Sequence, residues 1–241
     1  MDLFGYALYS SWKGIPAPPC AYERDDGSRA PCNIGDYFTV SAEDKQALRL
    51  ARGRTLDIGC GAGSHALLLQ RKGIEVLCID TSSLALQVCR GRGCKRCRQM
   101  NIFRHKLHPS SFDTILLMGT NVGLAGTLDR CKRLFRICSE LAKPGARLIV
   151  TSKDVRTRTN RQQVRYHRSN LEAGRFIGER RIRFTYGRKT GNWFKWIFID
   201  PVTLRTTAHA SGWEVESIIN AQRGRYSAVL HLASLTQRTL R

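Results

Sequence analysis

Seven residues, Asp57-Ile58-Gly59-Cys60-Gly61-Ala62-Gly63, constrain the fold of this chain more than any other stretch. They close a short apolar segment, Arg54 to Ile58, that reads as a strand. They open Gly63 to Lys72, which reads as a helix with Gly73 just past its end. Glycines in such a turn let the backbone come close to a ligand, and the helix start offers it unpaired N–H groups. A glycine-rich turn alone would also suit a dinucleotide. Two details argue otherwise. The spacing is Gly-x-Gly-x-Gly rather than Gly-x-Gly-x-x-Gly, and Asp57 at the strand end would repel a pyrophosphate while attracting a cationic ligand.

The turn belongs to a repeating pattern. Glu75 to Ile79 reads as the next strand, Ser82 to Arg90 as a helix, and Arg96 to Asn101 and Phe112 to Met118 as two further strands. Leu124 to Leu141 reads as helical, closing at Lys143-Pro144-Gly145 before the strand Arg147 to Thr151. Strands alternating with helices at this spacing predict an α/β fold with a doubly wound, mostly parallel sheet. Further on, Arg181 to Tyr186 alternates, with Ile182, Phe184 and Tyr186 on one face, and with Trp193 to Ile199 predicts an antiparallel hairpin. Pro201 to Ala210 is a helix begun by proline, and Trp213 to Ile219 and Tyr226 to Leu232 are the last strands. The expected sheet has seven strands, the final one antiparallel.

Upstream, Leu3 to Trp12 predicts a short helix, and Pro16 to Gly35, with Pro16, Pro18, Pro19 and Pro31, reads as an irregular arm or lid. Ser41 caps the next helix. Residues 1–40 are expected to be helix and arm, and 41–241 one domain with a substrate-side insertion at about 154–199.

Apolar residues make up 42% of the 241, enough for one sizeable core, and the longest apolar runs, such as Ile115 to Met118, are too short to span a bilayer. Asp2 stands where a signal peptide would be positive, so a cytoplasmic location is expected. The nine cysteines are then expected to be thiols. Cys89, Cys94 and Cys97 form a cluster to which His105 or His108 could add a fourth metal ligand. Only one tight Cys-x-x-Cys pair is present, so no metal is expected and the thiols read as small buried apolar groups. A net charge of +21 attracts anionic partners, nucleic acid among them.

A second acid, Asp80, ends the strand after Asp57, a position from which a carboxylate accepts hydrogen bonds from both ribose hydroxyls in such folds. Across roughly Arg54 to Thr151 the chain resembles class I S-adenosylmethionine-dependent methyltransferases. The stretches that carry the resemblance are Leu56-Asp57-Ile58-Gly59-Cys60-Gly61-Ala62-Gly63, Val76-Leu77-Cys78-Ile79-Asp80, Phe112-Asp113-Thr114-Ile115-Leu116-Leu117 and Leu141-Ala142-Lys143-Pro144-Gly145-Ala146. The arm with Tyr22-Glu23-Arg24-Asp25-Asp26-Gly27 is similar to that of bacterial members of this class, which names no acceptor.

The resemblance implies a Rossmann-like fold and S-adenosyl-L-methionine as cofactor. Asp57, Gly59, Cys60, Gly61 and Gly63 would meet its methionine moiety, whose ammonium and sulfonium suit an acid. Asp80 and Thr81 would meet its ribose. Asn101 stands near the place where the family usually has an Asp holding the adenine amino group, and Asn can still hydrogen-bond an adenine edge. Ile102 and Phe103 would line the adenine slot, Met118 would lie beside the methyl group, and Tyr37 could close over the cofactor. Such transfer relies on positioning and desolvation, so no catalytic residue is assigned.

The acceptor is less constrained. Gly119-Thr120-Asn121-Val122 replaces the Asn/Asp-Pro-Pro-Tyr/Phe run common in amino-group methylation, and no Pro-Cys or Thr-Cys places a nucleophile as pyrimidine C5 methylation needs. Substrate-side candidates are Tyr22 and Arg24 of the arm, Asn121, and Tyr166, Arg168 and Arg175 of the insertion. Between Arg156 and Arg188 ten arginines face only Glu172 and Glu179. A small-molecule or peptide acceptor is expected under a lid, with RNA, or non-catalytic nucleic-acid binding on the same fold, as alternatives.

Overall fold

The computed structural model describes residues 1–157 and 160–233. In chain order the elements are α1 (Leu3–Trp12), β1 (Cys20–Arg24), β2 (Arg29–Cys32), α2 (Ala42–Ala47), β3 (Thr55–Ile58), α3 (Ser64–Gln70), β4 (Val76–Asp80) and α4 (Ser83–Gly91). Next come β5 (Arg96–Gln99), β6 (Phe112–Leu117), α5 (Leu128–Leu141), β7 (Ala142–Lys153) and α6 (Arg161–Glu172). The chain continues through β8 (Glu179–Tyr186), β9 (Lys189–Thr190), β10 (Phe194–Ile197), α7 (Pro201–His209), β11 (Trp213–Asn220) and β12 (Arg225–Leu232).

Seven strands form one sheet in the order β11-β12-β7-β6-β3-β4-β5. The strands from β3 to β7 pair in parallel, and the final strand, β12, is antiparallel to both its neighbours. This is the Rossmann-like sheet that the alternation predicts. Successive side chains point to opposite faces, and a sheet covered on both sides needs apolar groups on each. Along β4, Leu77 and Ile79 pack with Phe135 of α5 and Leu204 of α7. Val76 and Cys78 pack on the other side with Leu48, Leu69 of α3 and Leu86 of α4. β3 and β6 lie side by side where the strand order reverses, and open α/β sheets bind ligands in the crevice beyond the strand ends there.

A second sheet has the order β10-β8-β1-β2, with β9 paired to β8. Two of its strands come from the arm, which corrects the expectation of irregular chain from Pro16 to Gly35. Pro31 falls on β2, the edge strand, where its missing N–H removes no ladder bond. The expected pairing of Arg181–Tyr186 with the strand after Trp193 is present, with β1 on the other side of β8.

Three local expectations are corrected. The helix expected from Leu124 starts at Leu128, capped by Thr127, because Asn121–Ala125 forms a separate 3-10 turn. The turn at Lys143-Pro144-Gly145 lies inside β7 as an irregularity, where the register passes from Phe112↔Ala142 to Thr114↔Arg147. Helix α6, which no apolar periodicity announced, is capped by the Asn160 side chain accepting from the Gln163 N–H.

Candidate cofactor site and the sheet that faces it

Asp57 is fully buried, and its Oδ2 has no hydrogen-bond partner among the described residues. Burial pushes its carboxyl up to about 7, with His65 opposing the rise and Cys89 and Asp80 adding to it. A buried carboxylate without a partner is costly, and a cation placed against it relieves that cost. The methionine ammonium has the right sign. At Gly61 the backbone has φ +52°, and an added Cβ would meet nothing within 4 Å. The turn therefore presents open space and bare backbone to a ligand, and both features fit S-adenosylmethionine.

Two side chains clamp this turn from the flanking strands. Asp80 at the end of β4 accepts from the Gly61 N–H at 3.0 Å and from the Ser82 N–H at 2.9 Å. Asn121, just beyond β6, donates through Nδ2 to the carbonyls of Ile58 at 2.8 Å and Gly59 at 2.7 Å. Helix α1 also reaches this edge. Asp2 caps it through the Gly5 N–H at 2.8 Å and touches the Ser82 hydroxyl. Asp2 escaped the sequence reading as a site residue; its only signal is an acid one position before an apolar helix start.

The arm is tied to the same region. The Ser64 hydroxyl donates to the Tyr37 carbonyl at 2.7 Å, and the Tyr37 and Tyr22 hydroxyls pair at 3.0 Å. Phe4 of α1 packs edge-on against both Tyr37 and Phe184. Burial raises both tyrosines above their ordinary pKa, which keeps them neutral hydrogen-bonding groups.

Alternation puts Arg180, Ile182, Phe184 and Tyr186 on one face of β8. Across the ladder, Trp196 of β10 opposes Arg180, and Arg24 and Tyr22 of β1 oppose Ile182 and Phe184. Trp196 fills the space a side chain at Gly123 would need, so this face is seated on the Asn121–Ala125 turn. Arg180 forms no ion pair among the described residues, and its buried Nε has no partner. Burial, then repulsion from Arg24, pulls Arg180 down to about 10. Arg24 is 5% exposed, bonds both oxygens of Asp26 and Gln163 Oε1, and stacks on the Tyr166 ring at 4.0 Å. Burial, with Arg180 and Arg24 adding to it, lowers His167 below its ordinary value.

Residues 56–150 match the family model described as a methyltransferase domain. A solved S-adenosylmethionine-dependent methyltransferase from Bacteroides fragilis, in complex with S-adenosyl-L-homocysteine, is 29% identical. The match covers 97% of this chain and 95% of that one, with a TM-score of 0.83. The chain carries a class I S-adenosylmethionine-dependent methyltransferase domain. A methyltransferase from Methanosarcina mazei, 19% identical over 75% of this chain and 92% of its own, shares the fold with a TM-score of 0.61. The ubiquinone biosynthesis O-methyltransferase of Xanthomonas euvesicatoria is 28% identical over 111 residues, 44% of this chain. That match spans 45% of the relative, so the chain covers less than half the length of this curated protein.

In this methyltransferase the expected site residues divide. Asp57, Gly59, Cys60, Gly61, Gly63 and Asp80 lie together at the turn, and Thr81 lends its carbonyl to Gln99 Nε2 at 3.0 Å. Asn101 is exposed and caps the 3-10 turn Ile102–Arg104, its Oδ1 accepting from the Phe103 N–H at 2.9 Å. Ile102 is core. Phe103 lies against the guanidinium groups of Arg130 and Arg133, beside His105 in a hollow on that side. The Met118 side chain is buried in the core, and its carbonyl takes the Asn121 N–H.

Of the substrate-side candidates, Asn121 turns to the cofactor turn instead. Arg168 is 80% exposed and pairs with Glu172, and Arg175 binds Asn170 Oδ1 at the end of α6. Neither reaches the face that carries Arg180. Tyr166 buttresses Arg24 and donates to Asp25 Oδ1. Arg158 lies outside the described residues. Among those described, no helix is long and apolar enough to cross a membrane.

Proposed function

We propose that the chain transfers the methyl group of S-adenosylmethionine to a small-molecule or peptide acceptor that carries an anionic group. One observation carries the acceptor class: Arg180, half-buried on the face seated against the Asn121–Ala125 turn, has a buried guanidinium nitrogen, Nε, without a hydrogen-bond partner. A carboxylate or phosphate would satisfy that fork in a geometry arginine suits. Asp57 and the Gly59–Gly63 turn would hold the methionine moiety, and Asp80 would meet the ribose. The cofactor supplies an electrophilic methyl group. The protein's part is to hold the acceptor atom in line with it and keep water out, which the Tyr22–Tyr37 pair and Phe4 favour by walling the arm side.

RNA is the weaker reading. Several arginines that would form a phosphate-facing stripe are already used inside the chain: Arg156 by Asp154 and Asp200, Arg168 by Glu172, Arg183 by Glu23. The Xanthomonas relative is an O-methyltransferase, and a match over 44% of the chain supports the reaction type without carrying its acceptor. Incubation with methyl-labelled S-adenosylmethionine, a small-molecule extract and, separately, total RNA tests the reading. Label should enter small acidic compounds. Label entering RNA instead, at the same enzyme concentration, would overturn it.

A further inference from the structure

We propose that the chain binds a zinc ion in a four-thiolate site directly behind the cofactor turn. Five cysteines converge there: Cys60 of the turn, Cys78 of β4, Cys89 of α4, Cys94 of the loop that follows, and Cys97 of β5. The sulfurs of Cys60, Cys78 and Cys89 all lie within 4.8 Å of one another. Cys89 Sγ is 3.9 Å from that of Cys60 and 3.6 Å from that of Cys97. A tetrahedral zinc with Zn–S bonds of about 2.3 Å has sulfur–sulfur edges of about 3.8 Å. The observed spacings on Cys89 already match those edges.

In sequence only one tight pair, Cys94 and Cys97, is present, with His105 or His108 as the further donors it offers. The fold supplies two thiols instead. Cys78 comes forward because alternation along β4 sends it to the α4 side, and Cys60 because the glycine turn bends back over that face. His105 lies elsewhere, against Phe103 and Arg133. Cys94 Sγ turns to the Gly63 carbonyl at 3.7 Å, whereas Cys97 Sγ lies 3.6 Å from Cys89 Sγ, so Cys97 is the fourth ligand that would close on an ion held by Cys60, Cys78 and Cys89.

The surroundings suit the ion. Cys60, Cys78 and Cys89 are buried and Cys97 is half-buried, which gives a dry site with one approachable edge. Binding would release four thiol protons and leave the site with a net charge of −2. Arg92 stands within the field of Cys94 and Cys89 and crosses the turn to the Ala62 carbonyl and the Ser64 hydroxyl, where it offsets that charge. Four protein ligands leave no open position, so the ion is structural: it locks the turn to β4, α4 and β5.

The full chain, purified with reductant and without chelator, tests this independently of any acceptor. Metal analysis should find about one zinc per chain, released by a mercurial and lost in Cys89→Ser and Cys97→Ser but kept in Cys32→Ser. Replacement by Co²⁺ should give thiolate-to-cobalt charge transfer with the visible bands of a tetrahedral site. If the variants fail to fold, the unmodified chain alone decides the matter. Less than about a tenth of an equivalent of zinc, with no cobalt–thiolate spectrum on titration, would overturn the proposal. Iron with inorganic sulfide in place of zinc would overturn it as well.

Discussion

Trp196 of β10 occupies the space that a side chain on Gly123 would need, so one aromatic ring seats the second sheet on the turn after β6. The pair joins the two halves of the molecule that matter for transfer: Gly123 follows the strand beside the cofactor turn, and Trp196 shares a face with Arg180. Gly123→Ala cannot be accommodated without moving that ring. We expect a loss of about 1–3 kcal/mol in stability, the range for overpacking, and a raised KM for the acceptor. Affinity for S-adenosylhomocysteine should stay the same. Thermal unfolding and calorimetry check this, and an unchanged melting temperature would show that the sheet is not seated through this contact.

The cofactor turn offers a second test. Asn121→Ala removes two donors from the carbonyls of Ile58 and Gly59. At about 1 kcal/mol for each hydrogen bond, the Kd for S-adenosylhomocysteine should rise roughly 10-fold or more. Asp80→Ala should weaken binding by about 1 kcal/mol or more, the scale of charge-assisted bonds. Wild-type affinity in both variants would remove the turn from the cofactor site.

Arg180→Gln and Arg168→Ala separate the half-buried arginine, whose Nε is buried, from the surface ones. The first should raise KM for the labelled acceptor by roughly 10-fold or more, since it removes a charge-assisted bond. Its kcat should change less. The second should change neither constant, because Arg168 is 80% exposed and held by Glu172. Equal effects of the two substitutions on KM would contradict the assignment of Arg180 to the acceptor.

Asp44 of α2 sets an acid limit on stability. Its carboxylate takes the Ser227 hydroxyl at 2.9 Å and pairs with Arg225 and His65. Burial alone would raise it, but His65, Arg225 and Ser227 outweigh burial and hold it below its ordinary value of 3.8. A lowered folded pKa contributes stability above the unfolded value, and that contribution is lost as pH falls through the folded one. Asp44→Asn should therefore cost about 2 kcal/mol at neutral pH and less in acid, with the two stability curves converging below about pH 4. Denaturant titrations at several pH values check this; parallel curves down to pH 2 would rule out Asp44 as the source.

The main sheet was legible because its causes are local. Leu56 to Gly63 and Val76 to Asp80 show apolar strands, glycine and an acid in consecutive residues, and their order implies which neighbours are parallel. The arm was not legible. Pro18 and Pro19 argue for irregular chain, and the alternation from Cys20 to Arg24 becomes a strand only because β8 offers it a partner edge. The setting of Phe103 was not legible either: its ring lies beside the guanidinium groups of Arg130 and Arg133 of α5, 27 and 30 residues further along the chain.

By itself, then, the sequence determined the doubly wound sheet, the glycine turn with Asp57 and Asp80, and the cofactor class, since each depends on residues close together in the chain. The tertiary structure alone decided that Arg180 rather than Arg168 or Arg175 shares a face with Trp196. It likewise brought Cys60 and Cys78 to Cys89 and turned Asn121 toward Ile58 and Gly59. Those contacts join residues 11 to 63 positions apart. Such separations leave no periodic mark in the sequence, because it is the packing of one element on another, and not the propensity of either, that brings the side chains together.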